Sequence, residues 1–192
     1  ATISYSHAGF IGGVLAGLNT KNNKVAMVTG EFYDTHRMME ASFYKGVAYV
    51  NPDIETTAIT TGDWADTVKA REACLAVIAQ GYDVLFPCLD AAGAGVAAAA
   101  QDSGNVKVVG AVADYAEDYG AKDVTAGSVV FAWDELGYRE TKGELCDGKV
   151  HVLGMAENGI RPVINMELTE EQKAIYDAAV ADLLAGKIDI AD

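Results

Sequence analysis

Proline is scarce in this chain, with three in 192 residues. Together with 20 glycines scattered along the chain, that is neither a linker nor a collagen composition. Cysteine is equally rare: Cys74, Cys88 and Cys146 are too few and too dispersed for a disulfide framework or a zinc site. Cys74 and Cys88 sit in apolar runs and read as small core residues. Basic residues are in deficit. Fourteen Lys and Arg stand against 28 Asp and Glu, a net charge of −14. No basic field exists to attract phosphate backbones or anionic membrane surfaces, which argues against nucleic acid as a partner. No apolar run approaches the ~20 residues that span a bilayer. No signal-peptide pattern is read in the residues from Ala1, and a start at Ala instead of Met is expected where an upstream segment has been removed.

What is there suits a folded core. Hydrophobic residues make up 51% and charged residues 22%. A chain of this length is one ordinary domain or two very small ones, and buries about 70% of its unfolded surface. Periodicity then locates the elements. Lys24 to Thr29 is a short apolar run before Gly30, as in a buried strand. Met39, Phe43 and Val47 recur every four residues on one helix face, and Asn51-Pro52-Asp53 stops it. Ile54 to Thr60, Asp83 to Cys88, Val106 to Val112 and Val124 to Val130 read as further strands. Thr67 to Gln80 and Gly93 to Gln101 read as the helices between them. Ser6 to Leu18 is apolar and glycine-rich, suited to a helix with close neighbours. Short strands are expected at His151 to Met155 and Pro162 to Asn165. Thr169-Glu-Glu-Gln172 is a capping-box pattern opening a helix with Ile175, Ala179, Val180, Leu183 and Leu184 inward. Strand and helix alternating every 25–30 residues signals βαβ units. The expected class is α/β, a parallel sheet with helices on both faces.

Ligands of such sheets bind beyond the carboxyl ends of the strands. The segments there contain Tyr33, Gly62-Asp-Trp-Ala-Asp66, Leu89-Asp-Ala-Ala-Gly93, Asp114 and Phe131-Ala-Trp133. Aromatic faces beside carboxylates suit a planar, hydroxylated ligand. Each residue also has a plainer reading. Asp66 is a good N-cap for the helix from Thr67, Asp90 is a possible cap, and Trp64 and Trp133 are possible peripheral core. Gly93-Ala-Gly-Val-Ala-Ala98 matches G-x-G-x-x-A, with Asp114 after the next strand. Here the fingerprint lies in the third unit, not the first, and close helix packing explains its small residues more cheaply. Catalytic arrangements are poorly supported: His7, His36 and His151 lie far apart in the expected topology, and no nucleophile elbow or HExxH occurs. His36 and Arg37 have two readings, facing a ligand from the mouth of the first βα turn or lying on a solvated helix face, of which the solvated face is preferred. Asp114, Glu117 and Asp118 lack the alternation of a calcium loop. Neither a metal nor a cofactor is expected.

The order of these segments resembles the basic membrane protein family of ABC-transporter substrate-binding proteins. Ser6 to Gly17, Lys24 to Gly30, Phe43-Tyr-Lys-Gly-Val-Ala-Tyr-Val-Asn-Pro52, Gly62 to Asp66, Gly81 to Phe86, Ser128 to Trp133, Gly154 to Val163 and Ala185 to Asp189 follow the family order. The resemblance implies a type I periplasmic-binding-protein fold, with no catalytic residues. It implies a solute-binding component of an importer, closing two lobes on a purine nucleoside, a base or another aromatic solute. An ABC permease would be its partner, and its place would be outside the cytoplasmic membrane, as a periplasmic protein or membrane-anchored lipoprotein. Trp64 falls at the family's stacking position. Val109-Gly-Ala-Val-Ala-Asp114 keeps only the second of two acidic places, with Val112 at the first, and Phe131 stands where a lysine is found. Asp90 and Trp133 fit a subgroup with aromatics. The ligand-binding set so implied is Trp64, Asp90, Gly93, Asp114, Phe131 and Trp133.

Against that family the chain lacks a long N-terminal portion. The expected division is a crossing helix and hinge (1–23), a complete lobe (24–145), and the returning strands and helix of a partial first lobe (146–192). The returning strands would lack parallel neighbours, so that either a partner chain completes that lobe, the end refolds, or the rest was lost by cleavage. A dinucleotide-binding enzyme domain using Gly93 to Ala98, and the ligand-sensing domain of a regulator, are the alternatives.

Overall fold

The computed structural model describes residues 1–190; residues 191–192, the end of the last expected segment, lie outside it. In chain order the elements are β1 (Thr2–Ile3), α1 (Tyr5–Asn19), β2 (Lys24–Thr29), α2 (Asp34–Val50), β3 (Glu55–Thr60), α3 (Thr67–Ile78), β4 (Val84–Cys88) and α4 (Gly93–Ser103). Then come β5 (Lys107–Val112), α5 (Tyr115–Asp118), β6 (Thr125–Phe131), α6 (Trp133–Thr141), β7 (Val152–Leu153), β8 (Ile160–Ile164) and α7 (Glu170–Leu184). The main sheet runs β3-β2-β4-β5-β6-β8. Its first five strands are parallel and β8 is antiparallel.

Strand alternation divides the interior in two. Val25 and Met27 of β2, with Phe86 and Cys88 of β4, face α1, α2 and α7. Ala26, Val28 and Leu85 face α3 and α4. Sheets buried on both faces read as continuous apolar runs, which is why β2 and β4 were visible in the sequence. Helix α1 is buried on nearly every side. Its glycines permit this: a Cβ on Gly13 would stand 2.2 Å from the Phe43 carbonyl oxygen of α2. The converse holds at Gly46, where a Cβ would meet Phe10 O at 2.1 Å. Asp83 is buried but satisfied, accepting from Thr20 Oγ1 at 2.5 Å and from the Lys21 and Asn22 amides at 2.8 and 2.9 Å. That anchors the α1–β2 connection to the foot of β4.

The late strands differ from expectation. They are paired within the chain: β7 parallel to β1, and β8 antiparallel to β6 from Phe131↔Ile160 to Gly127↔Ile164. An antiparallel edge strand needs no helical crossover, and an edge tolerates Pro162. Helix α7 lies on the same body. Its capping box is formed by Thr169 and Gln172. Gln172 Nε2 also donates to Leu18 O at 2.6 Å, and Tyr49 donates to Asp182 at 2.9 Å. Ala179 and Leu183 are buried as expected, whereas Leu184 is half exposed. Helix α6 is an element the periodicity did not reveal.

One irregularity positions the site. Strand β4 stays paired with β2 through Cys88, but its pairing with β5 ends at Leu85↔Val108. Pro87 follows, with no N–H to give a ladder. The two strands therefore part before their carboxyl ends, at the end of the sheet where crevices form.

Candidate functional site

A cleft of about 440 Å³ opens at those carboxyl ends. Trp64 enters it from the β3–α3 loop. That loop is braced: Asp63 Oδ1 accepts from the Ala65 and Asp66 amides at 2.8 and 3.0 Å, and Thr61 Oγ1 donates to Asp63 O at 2.5 Å. Asp66 caps α3 as the sequence predicted, accepting from Val68 N and Lys69 N, both at 3.0 Å. Trp64 O accepts from Ala92 N at 3.1 Å, which ties this loop to the segment carrying Asp90. The indole lies over the end of β2, since a Cβ on Gly30 would stand 2.4 Å from it.

Aromatic rings continue around the cleft. Tyr33 stacks on Trp64 with centroids 5.9 Å apart and planes 15° apart. His36 lies 4.8 Å from Trp64 and 5.3 Å from Tyr5. Tyr5 meets Phe131 edge to face at 5.1 Å, and Phe131 meets Trp133 at 5.9 Å. Trp133 is 49% exposed at the start of α6. Arg161 of β8 holds that helix start, donating to both Asp134 oxygens at 3.0 and 2.9 Å and keeping this carboxyl below its ordinary range.

The electrostatics oppose nucleophilic chemistry here. Burial and the Asp90 charge push the Cys88 thiol up to about 12, so it stays protonated and inert. Burial, then Cys88 and Asp90, raise Tyr5 to about 12. Burial lowers the His36 pKa, and the Asp90 charge partly opposes that.

Of the residues expected to bind ligand, Trp64, Asp90 and Trp133 share this cleft. Gly93, Asp114 and Phe131 are not among its lining residues. Phe131 is buried on the α1 side of the sheet, behind Tyr5 and Trp133. Asp114 caps α5: its Oδ1 accepts from Ala116 N at 3.1 Å and from Ser128 Oγ at 3.2 Å. Gly93 packs under the buried Tyr115, whose hydroxyl has no partner among the described residues; a Cβ there would stand 2.4 Å from that oxygen. A Cβ on Gly95 would stand 2.0 Å from Thr67 O of α3. Packing thus accounts for both glycines of the fingerprint. His36 corrects its expected place on a solvated face: it is 6% exposed, because the first turn of α2 packs down on Trp64 and Tyr5.

Six lining residues were not in the expected set: Tyr5, Tyr33, His36, Cys88, Leu89 and Val112. Tyr33 and Leu89 fall in segments the carboxyl-end rule already indicates. Tyr5 precedes β2 and carries no such signal. Val112 ends β5 with φ +74°, a left-handed conformation that β-branched residues rarely adopt.

Comparison with known proteins bears on this arrangement. The family model described as ABC transporter substrate-binding protein PnrA-like matches residues 2–190. Basic membrane protein D of Borreliella burgdorferi (strain JD1) is 27% identical over 176 residues, 89% of this chain and 51% of that protein. The ABC transporter nucleoside-binding protein BmpA of Lactococcus lactis subsp. cremoris is 23% identical over 208 residues, 99% of this chain and 59% of that protein. The chain thus spans between half and three-fifths of the length of these relatives. A solved ABC transporter solute-binding protein from Aeropyrum pernix K1 shares the fold, with a TM-score of 0.83 at 14% identity over 99% of this chain and 65% of that one. With the match running nearly end to end over a sheet and cleft of this kind, the chain belongs to the PnrA-like family of ABC transporter substrate-binding proteins.

Proposed function

We propose that the cleft captures a small planar aromatic solute, a purine nucleoside or free base among the candidates, for an ABC importer. The observation that carries this reading is the run of rings from Tyr33 through Trp64, His36, Tyr5 and Phe131 to Trp133, most of which open onto one cleft. Aromatic walls bind flat apolar faces by stacking, and a few polar groups fix orientation. Trp64 stacks the solute, Trp133 covers it from the far side, and Asp90 receives its hydrogen bonds. Phe131 and Asp114 hold the walls in place from behind.

Binding proteins of this architecture work by hinge closure of two lobes. In this reading the sheet and its cleft form one jaw, and the opposing jaw belongs to the part of the family's length that this chain does not span. The closed form is what an ABC permease would recognise, outside the cytoplasmic membrane. No helix of the described residues is long and apolar enough to cross a membrane.

Calorimetric titration with a panel of nucleosides, bases and other aromatic solutes tests the reading. Trp64→Ala is expected to weaken binding by about tenfold or more, since stacking on an aromatic contributes about 1–3 kcal/mol. Silence from the whole panel, or binding indifferent to Trp64→Ala, would refute it. Saturable NAD(H) binding would support the dinucleotide alternative instead.

A further inference from the structure

The charge in the cleft is one-sided. Among its lining residues Asp90 carries the only full charge, and no Lys or Arg is present. The other aspartates near the strand ends are engaged. Asp63, Asp66 and Asp114 accept from backbone amides, and Asp134 from Arg161. Asp90 differs. Its backbone carbonyl accepts from Gly93 N at 2.9 Å and from the Tyr119 hydroxyl at 3.0 Å. Among the described residues its exposed carboxylate has no hydrogen-bond donor and no ion-pair partner. Burial is the largest influence on the pKa of Tyr5, His36, Cys88 and Tyr119, and the Asp90 charge lies close enough to push each of the four upward.

An unmatched carboxylate beside several ring faces is the chemistry that recognises organic cations. The carboxylate supplies a charge-assisted hydrogen bond, and each ring face adds a cation–π attraction. An anionic solute would be repelled, both by Asp90 and by a chain of net charge −14.

We propose that the solute of this cleft is an aromatic cation, an aryl-alkyl amine or a charged heteroaromatic ring, with its positive charge on Asp90 and its ring against Trp64. The proposal rests on the aromatic-solute reading above and narrows it. Neutral nucleosides become the weaker ligands.

A matched set of ring-identical probes tests it: tryptamine (cation), tryptophol (neutral) and indole-3-acetate (anion), titrated into the whole chain by calorimetry. Tryptamine is expected to bind at least about tenfold more tightly than tryptophol, with indole-3-acetate weakest. Asp90→Asn, at an exposed position, is expected to bring tryptamine and tryptophol within about twofold of one another. Added salt should erode the preference in the unmutated chain only. Equal binding of tryptamine and tryptophol, or a preference that survives Asp90→Asn, overturns the cation proposal. The aromatic-solute reading then still stands if tryptophol binding is lost in Trp64→Ala. If none of the three binds and nucleosides and bases are also silent, both readings fall.

Discussion

Gly30 and Trp64 compete for one space. The indole lies so close over the end of β2 that a single added carbon at residue 30 would stand 2.4 Å from Trp64 Cδ2. The wall of the cleft is therefore set partly by a residue with no side chain. Gly30→Ala is expected to push Trp64 off its seat, weakening solute binding about as much as Trp64→Ala does. The stability cost should stay at about 1–3 kcal/mol, that of local overpacking. Calorimetry with an aromatic solute and urea unfolding, run side by side, separate the two effects.

Val112 is held at φ +74°, which for a β-branched side chain stores about 1–3 kcal/mol of strain. Asn tolerates that conformation far better. Val112→Asn is expected to be neutral or to stabilise by up to about 1 kcal/mol, despite the lost apolar contact. The same change at Val109, fully buried in the same strand, is expected to cost about 3 kcal/mol or more. Similar losses at both positions in chemical denaturation would show that residue 112 is not strained.

Burial places the folded-state pKa of His36 below its ordinary 6.5. On acidification the unfolded chain takes up the proton first. The stability contributed by neutral His36 is therefore complete above about pH 6.5 and is lost as pH falls through the lower folded value. His36→Gln should flatten that part of the stability profile and leave the difference from the unmutated chain constant above about pH 7.5. Asp90→Asn removes the charge that favours imidazolium, so the His36 resonance in NMR should titrate at a still lower pH.

Thr169 and Gln172 cap α7 reciprocally. Thr169→Ala should cost about 1 kcal/mol. Gln172→Ala should cost more than a surface cap alone, because Gln172 also bonds Leu18 O of α1 at 2.6 Å. A double variant less destabilised than the sum of the singles, in thermal unfolding, would show that the two share one interaction.

The parallel core was legible because β2, β4 and β5 are buried on both faces and so appear as short uninterrupted apolar runs. The Asp66 and Thr169 caps were legible because capping needs a short polar side chain at a fixed offset. The site was half legible. Position after a strand pointed to Trp64, Asp90 and Trp133, since the carboxyl-end rule depends on topology alone. It could not reveal Tyr5, which reaches the cleft from the helix before β2 and lies 5.1 Å from Phe131, far along the chain. Nor could it show that Asp114 is occupied as a cap, because one carboxylate serves either purpose with the same neighbours in sequence. His36 read as solvated because polar residues usually are; only the packing of α2 over the cleft buries it. The pairing of β8 with β6 joins segments some 30 residues apart with no hairpin signal between them.

Helix α1 is made before most of the elements that cover it, which come from the length of the chain. It packs on α2 and the sheet, and its carboxyl end is closed by Gln172 near the far end. During vectorial synthesis its apolar surface must wait for partners that are still being translated. Domains with such distant closures fold late and keep sticky surface open in the interval. A chain-release experiment, in which nascent chains are stalled before and after α7 has emerged, should find α1 sensitive to protease until α7 is out. For this protein, holdase chaperones would act at α1, even though the finished fold hides that helix almost completely.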